Sequence, residues 1–101
     1  MAVEIIWSRQ AKEDFEAMLL YLRDNWSDDI ADRFKETVYK KIELLESIPE
    51  MGIASTLYPT VRRILLSRYN VLYYQYASNS SVVFLLNIFD TRANPTENLY
   101  N

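Results

Sequence analysis

The hydrophobic positions of this chain change their period along its length, from that of a strand to that of a helix and back to that of strands. Apolar residues recur every three or four positions through the middle, and β-branched, aromatic and leucine residues dominate after residue 60. The pattern predicts, in chain order, a strand over Val3–Trp7, a helix over Arg9–Asn25, a second helix from about Asp28 to Ser47 or Ile48, and strands over Val61–Leu66, Tyr69–Tyr76 and Ser81–Phe89.

Each predicted helix has an N-cap candidate and one apolar stripe. Ser8 precedes the first helix, and Ser27 precedes the second, whose first turn is acidic and which Pro49 ends. The first stripe comprises Ala11, Phe15, Met18, Leu19, Leu22 and Trp26, and the second comprises Ile30, Phe34, Val38, Ile42, Leu45 and Ile48. We therefore expect an antiparallel helical hairpin that also covers a sheet, with Trp7 and Trp26 both packed.

The second half of the chain predicts a loop followed by strands. Residues 49–59 form the loop, in which Gly52, the only glycine of the chain, is expected at a left-handed or tight-turn position. Residues 77–80 predict a hairpin turn. The run from Val82 to Phe89 is apolar on both faces, which is typical of a strand covered on both sides. A chain of this size has little to cover the second face, which indicates a partner.

These elements predict one α+β domain. The order β-α-α-β-β-β places an antiparallel helical hairpin on a mainly antiparallel sheet. A chain of 101 residues has room for a single hydrophobic core, so we assign residues 1–101 to one domain.

The composition excludes several classes of catalytic site. The sequence contains no cysteine and no histidine, which removes disulfides, thiol nucleophiles, zinc sites and Ser-His or Cys-His pairs. Any chemistry would use Arg, Lys, Tyr and carboxylates, and we expect neither a metal site nor a cofactor. The chain opens without a signal-peptide pattern, and no apolar run approaches the roughly 18 residues of a membrane span. We expect a soluble cytoplasmic protein.

Charge is distributed unevenly between the two halves. Residues 1–59 hold seven Lys or Arg against twelve Asp or Glu, and residues 60–101 hold four Arg against two carboxylates, within a net charge of −3. An acidic helical half and a basic strand half indicate a dipolar molecule whose sheet side faces an acidic partner. The alternative is that these arginines are ordinary surface residues.

Six short strings stand in a characteristic order along the chain. They are WSRQAKEDF at residues 7–15, YL at 21–22, IPEMG at 48–52, VRR at 61–63, YNVLYY at 69–74 and IFDTR at 88–92. With these spacings, and with the order of elements above, the chain resembles the RelE/ParE superfamily of bacterial toxins over nearly its whole length. These toxins are the toxic half of type II toxin-antitoxin pairs.

What the resemblance implies about activity depends on the branch of the superfamily. RelE-like members are ribosome-dependent mRNA endonucleases, whereas ParE-like members share the fold and inhibit DNA gyrase. Nuclease members carry an arginine in the sheet where this chain has Asn70, and an amide cannot supply positive charge to a phosphate. Tyr100 is the opposing feature, because a tyrosine near the C-terminus serves as acid or base in several nuclease members. If the chain is a nuclease, its catalytic candidates are Arg62, Arg63, Arg68, Arg92 and Tyr100.

The sequence at the end of the last predicted strand resembles that of the ParE branch. ParE-like members show an isoleucine, an aromatic residue and a histidine before an arginine, and this chain has Asp90 in the place of the histidine, with Asn94 and Pro95 after Arg92. Gyrase inhibition needs binding and no chemistry by the toxin, which suits a chain without His and Cys. The resemblance therefore favours a ParE-like gyrase inhibitor. A RelE-like nuclease is the alternative, and a non-toxic binding module of the same fold is a further one.

Arginines and tyrosines of the strands supply the candidate binding residues. Either the arginines converge on one edge of the sheet and bind an acidic surface, or they pair with carboxylates of the helices. Strand alternation puts Tyr69 and Tyr73 on one face and Tyr74 on the other, so that one set is core and the other is a candidate docking surface. The predicted target-binding or antitoxin-binding residues are Arg62, Arg63, Arg68, Tyr73, Tyr74, Asp90 and Arg92.

The resemblance also implies partners. A cognate antitoxin is expected, as a small protein whose C-terminal segment wraps the toxin. DNA gyrase is the second expected partner, and the ribosome with mRNA takes its place in the nuclease alternative. We further expect either a homodimer or a toxin-antitoxin hetero-oligomer.

Overall fold

A computed structural model describes residues 3–92 as two helices packed on one face of a five-stranded sheet. The elements are β1 (Glu4–Trp7), α1 (Arg9–Asn25), α2 (Asp28–Ser47), β2 (Ile53–Ala54), β3 (Val61–Ser67), β4 (Asn70–Ala77) and β5 (Val82–Asp90). The strand order is β1-β5-β4-β3-β2, with β1 parallel to β5 and all other neighbours antiparallel. The predicted α+β fold is confirmed.

Both helices begin at the predicted serine caps. The Ser8 hydroxyl accepts a hydrogen bond from the Ala11 N–H at 3.0 Å and donates one to the Leu86 carbonyl at 2.7 Å, which ties the start of α1 to β5. The Ser27 hydroxyl accepts from the Ile30 N–H at 3.2 Å at the start of α2. Within residues 3–92, neither helix has the length and apolar character that crossing a membrane requires.

The main core lies between the helices and the sheet. Its largest fully buried side chains are Val38, Leu45, Leu72, Tyr74, Val83 and Leu85. The opposite face of the sheet, called the open face below, carries a smaller cluster of Val61, Val71 and Tyr73 against Leu86 and Phe89. In β5, Leu85 is buried in the main core, whereas its neighbour Phe84 lies on the open face and stays partly exposed. The strand thus carries apolar side chains on both faces, as its sequence predicts.

The segment between α2 and β3 differs from its prediction as a plain loop. Ile53 and Ala54 form the two-residue strand β2, which pairs with β3 and is too short to show a period in the sequence. Of the two positions expected for Gly52, the left-handed one is wrong, because its φ is not positive, whereas the chain does bend at this residue. A glycine is required at this position because Tyr74 and the backbone of β3 approach it too closely to leave room for a side chain. The left-handed position is Ser81, with φ 55°, in the turn before β5.

Candidate functional site

An apolar groove opens between the turn of the helical hairpin and the turn that joins β3 to β4. Its volume is about 760 Å³. The helices contribute Asp14, Ala17, Met18, Tyr21, Leu22, Trp26, Ile30 and Phe34, and the sheet side contributes Ser67, Tyr69, Asn70, Ile88, Asp90 and Arg92. One wall is thus almost entirely hydrophobic, and the other carries the polar groups.

The helical wall is exposed because the apolar stripes of α1 and α2 continue beyond the part of the helices that the sheet covers. Trp26 is 67% exposed and Tyr21 is 57% exposed, although both line the groove. The expectation that Trp26 is packed is therefore wrong, since its position as the C-cap of α1 carries it past the core. Removal of such aromatic surface from water by a bound partner is favourable and would stabilise the complex.

Arg92 forms the polar lip of the groove. Its Nη2 lies 2.8 Å from Asp90 Oδ2, its Nε lies 3.1 Å from Asp90 Oδ1, and its backbone N–H also donates to Oδ1 at 2.9 Å. The hydrogen bonds from Arg92 lower the pKa of the Asp90 carboxyl, and the carboxylate raises the pKa of Arg92. Because the folded-state pKa of Asp90 is lowered, this pair stabilises the fold above the ordinary carboxyl range and loses that effect as the pH falls through the lowered value.

Tyr69 lies in the turn that joins β3 to β4, beside the polar lip. The Arg92 guanidinium carbon is 4.6 Å from the centre of its ring, and the corresponding carbon of Arg68 is 5.4 Å away. Both distances allow cation–π attraction, which orients the two guanidinium groups against the ring. The structure therefore gathers Arg68, Tyr69, Asp90 and Arg92 at one end of the sheet.

The other two arginines do not join this group. Arg62 donates through Nη1 to the carbonyl oxygens of Gly52 at 2.8 Å and Glu50 at 3.2 Å, so it holds the segment before β2. Arg63 lies opposite Tyr73 in the β3–β4 ladder and borders a different pocket. Convergence of all four arginines on one edge is wrong, because alternation along β3 sends neighbouring side chains to opposite faces.

Tyr73 and Tyr74 are both buried, on opposite faces of the sheet. The Tyr74 hydroxyl donates to the Pro49 carbonyl at 2.8 Å and accepts from the Gly52 N–H at 2.9 Å. Burial raises the pKa of this hydroxyl, so Tyr74 stays neutral and keeps both hydrogen bonds. In this arrangement neither tyrosine offers surface to a partner, whereas their neighbour Tyr69 does.

Asp14 lies in the first of the six sequence strings and was not among the predicted site residues, although it lines the groove. Its Oδ2 accepts a hydrogen bond from the Ile88 N–H of β5 at 2.9 Å, across a separation that no local pattern could reveal. We expect Asp14→Ala to lower the free energy of unfolding by about 1–3 kcal/mol, because it leaves a partly buried N–H without an acceptor.

Urea denaturation would measure this effect. Asp14→Asn should cost less, since its amide oxygen can still accept the hydrogen bond from Ile88. Glu13→Ala, an exposed change one residue away, should alter the free energy of unfolding by less than about 0.5 kcal/mol. Equal losses in all three variants would contradict the role assigned to Asp14.

The carboxylates and the Asn70 amide that line the groove are engaged in hydrogen bonds within the chain. The Asn70 amide oxygen accepts from the Ser67 hydroxyl at 2.6 Å, and Asn70 pairs with Asp90 in the ladder. The carboxylates of Asp14 and Asp90 are already hydrogen-bonded to groups of the chain itself. In the described range 3–92, no three acidic residues group as metal ligands would. Tyr100, Asn94 and Pro95 lie outside the described residues.

A comparison with models of protein families shows the family to which the chain belongs. A family model described as the ParE toxin of the type II toxin-antitoxin system, parDE, matches residues 5–95. The chain belongs to the ParE toxin family. No curated protein sequence matches it.

Solved structures of toxins from this superfamily share the fold. A structure described as the chromosomal ParDE toxin-antitoxin system from P. aeruginosa has a TM-score of 0.71 at 16% identity, covering 88% of this chain and 96% of that chain. An arginine double mutant of the E. coli toxin RelE in the free state has a TM-score of 0.64 at 18% identity, covering 93% and 88%. The intact E. coli RelBE toxin-antitoxin complex has a TM-score of 0.58 at 20% identity, covering 88% and 96%. At these identities the similarity concerns the fold of this ParE-family chain.

Proposed function

We propose that this ParE-family chain is a toxin that inhibits DNA gyrase by binding through the groove, and that a cognate antitoxin neutralises it. The observation that carries the proposal is the exposed aromatic wall of the groove beside a guanidinium group held in place by Asp90. Aromatic residues and arginine dominate the binding energy of protein interfaces. A fixed guanidinium group also loses little conformational entropy when it binds a carboxylate.

Binding without chemistry is favoured by the polar groups of the groove. RNA cleavage needs a cation at the reacting phosphate and a general acid or base near the attacking hydroxyl. Asn70 provides no charge at the position where nuclease members carry an arginine, and the Arg92 guanidinium and the Asp90 carboxylate of the groove are engaged with each other. The RelE-like nuclease is the alternative, and it is supported by Tyr100 in the sequence and by the similarity to the RelE fold.

The proposed antitoxin would cover the same groove. Several structures similar to this chain are of toxin-antitoxin systems, which supports such a partner. Trp26 and Tyr21 expose apolar surface that a bound helix or extended segment would bury. We therefore propose a toxin-antitoxin hetero-oligomer, formed in the cytoplasm, in which the antitoxin and gyrase compete for one surface.

Expression of the chain in a bacterium from an inducible promoter tests the proposal. We expect growth arrest with early activation of a DNA-damage reporter, while pulse-labelled protein synthesis continues at first. Arg92→Ala should relieve the arrest, because it removes the positive charge at the lip of the groove. Arg33→Ala, which removes an exposed arginine of α2 away from the groove, should remain toxic.

The order of events separates the alternatives. Protein synthesis that stops before any DNA damage would indicate the nuclease reading. Normal growth at a verified level of soluble protein would contradict toxicity and favour a binding module of the same fold.

A further inference from the structure

The side-chain acceptors that line the groove are mostly occupied by hydrogen bonds within the chain. Asp90 accepts three hydrogen bonds from Arg92, two at Oδ1 and one at Oδ2. Both carboxylate oxygens of Asp14 accept hydrogen bonds, and the Asn70 amide oxygen accepts from the Ser67 hydroxyl. A ligand group that brings only donors therefore finds few partners in the groove.

The Arg92 guanidinium group, in contrast, keeps donors free. Asp90 occupies the edge formed by Nε and Nη2, at 3.1 Å and 2.8 Å. The second edge, formed by Nη1 and Nη2, carries two parallel N–H groups, and within residues 3–92 no acceptor binds Nη1. The side chain is 61% exposed, so this edge is open to a ligand. Two parallel N–H groups match the two oxygens of a carboxylate.

Several contacts hold this guanidinium group in place before a ligand arrives. Asp90 binds it at two atoms, and the centre of the Tyr69 ring lies 4.6 Å from its central carbon. The backbone is anchored one residue earlier, because the Thr91 N–H donates to the Tyr69 carbonyl at 2.8 Å. An arginine held in this way loses little conformational entropy when its free edge binds a ligand. Asp90 is therefore a positioning residue that acts through Arg92.

The aromatic wall of the groove reaches the neighbourhood of the free edge. The Asp90 carboxylate chiefly raises the pKa of Arg92, and electrostatic interactions with Tyr21 of α1 and with Tyr69 raise it further. Tyr21 and Trp26 both expose ring surface in the groove. A short ligand that joins an apolar ring to a carboxylate can therefore contact the helical wall and the guanidinium group together.

We propose that the free edge of Arg92 binds the carboxylate of an acidic side chain, on a partner segment whose neighbouring large apolar residue packs on the helical wall. Asp90 holds the guanidinium group ready for this contact. The proposal rests on the proposed function for the identity of the partner, and it names the chemical group that the groove accepts from gyrase. Phosphate is a poorer occupant, because its second negative charge adds repulsion from Asp90.

Small aromatic carboxylates and their uncharged primary amides test this site without gyrase. The probes are phenylacetate, hydrocinnamate and phenylbutyrate, which differ in the spacing between ring and carboxylate. Titration of the natural chain, followed through backbone amide shifts in NMR spectra, gives their affinities, for which a roughly millimolar Kd is typical of ligands of this size. We expect the best carboxylate to bind at least fivefold tighter than its amide, because only the carboxylate offers two oxygens and a charge to the free edge.

Variants of the chain separate positioning from charge. Arg92→Lys keeps the positive charge but has no planar edge, so it should lower the preference for carboxylate over amide at least threefold. Asp90→Ala should lower this preference to a similar extent, although removal of a negative charge would by itself raise it. Trp26→Ala should weaken both ligands alike, and Arg33→Ala, on an exposed part of α2 away from the groove, should leave both Kd values within twofold.

Four results would overturn the proposal in whole or in part. Equal affinity of the carboxylates and their amides, or no binding of any carboxylate, would remove the site. A higher preference in Asp90→Ala would remove the positioning role of Asp90. Tighter binding of phenyl phosphate than of phenylacetate would replace the carboxylate with a phosphate ligand. Because gyrase is absent from these titrations, a natural chain that prefers carboxylates but leaves supercoiling unaffected would contradict the proposed function alone.

Discussion

Gly52→Ala is expected to lower the free energy of unfolding by about 3 kcal/mol, the largest effect on stability that we predict for an exchange of one small residue for another. A Cβ at this position would lie 2.7 Å from the Tyr74 hydroxyl oxygen, 2.8 Å from the Arg63 carbonyl oxygen and 2.9 Å from Tyr74 Cε1. The carbonyl belongs to a paired strand and cannot move aside without disturbing the ladder. Urea denaturation with circular dichroism measures the loss.

A double-mutant cycle with Tyr74→Phe provides the control. The phenylalanine removes the hydroxyl that meets the added methyl group, and it also removes the hydrogen bonds to Pro49 and Gly52. Alanine at position 52 should therefore cost about 1 kcal/mol less in the Tyr74→Phe background than in the natural chain. Part of the cost remains, because the Arg63 carbonyl is unchanged. Strictly additive losses would contradict this account of Gly52.

Under the proposed function, Trp26→Ala is expected to weaken binding of the chain to gyrase at least ~30-fold, the largest functional effect that we predict. The indole contributes the most exposed aromatic surface of the groove, and truncation removes the apolar area that a partner would bury. The free energy of unfolding should change by less than about 0.5 kcal/mol, because the side chain is mostly outside the core. Titration of labelled toxin with purified gyrase measures the affinity.

Leu20→Ala is the matched control for this binding experiment. Leu20 lies on the same helix and is 59% exposed, but it does not line the groove. We expect its affinity to stay within twofold of that of the natural chain. Equal affinities of Trp26→Ala and the natural chain would show that gyrase binds elsewhere.

The helices and the strands after residue 60 follow from local sequence. Ser8 and Ser27 cap the helices as predicted, because a hydroxyl before an apolar stripe supplies an acceptor for the first free N–H groups. Strand β2 could not be predicted, since a pair of residues carries no period. The role of Gly52 was also hidden, because its constraint comes from Tyr74, which is distant in sequence.

The candidate site follows from sequence only where its parts are local. Asp90 and Arg92 are two residues apart, so the motif that contains them also predicts their proximity. Asp14 was not predicted as a site residue, and Trp26 was predicted to be packed although it is exposed. Both roles depend on where the sheet ends beneath the helices, which the local sequence does not show. Arg62 satisfies backbone carbonyls rather than helical carboxylates, and no residue pattern distinguishes these partners.

The central claim is tested most directly by adding the chain to purified DNA gyrase and measuring the supercoiling of relaxed plasmid. Ribosome-dependent mRNA cleavage is measured on the same preparation of the chain. We predict that the natural chain inhibits supercoiling or stabilises cleaved DNA and that the mRNA stays intact. Codon-positioned mRNA cleavage with unaffected supercoiling would contradict the proposed mechanism and support the nuclease alternative. The absence of both effects would contradict the assignment as a toxin of either target.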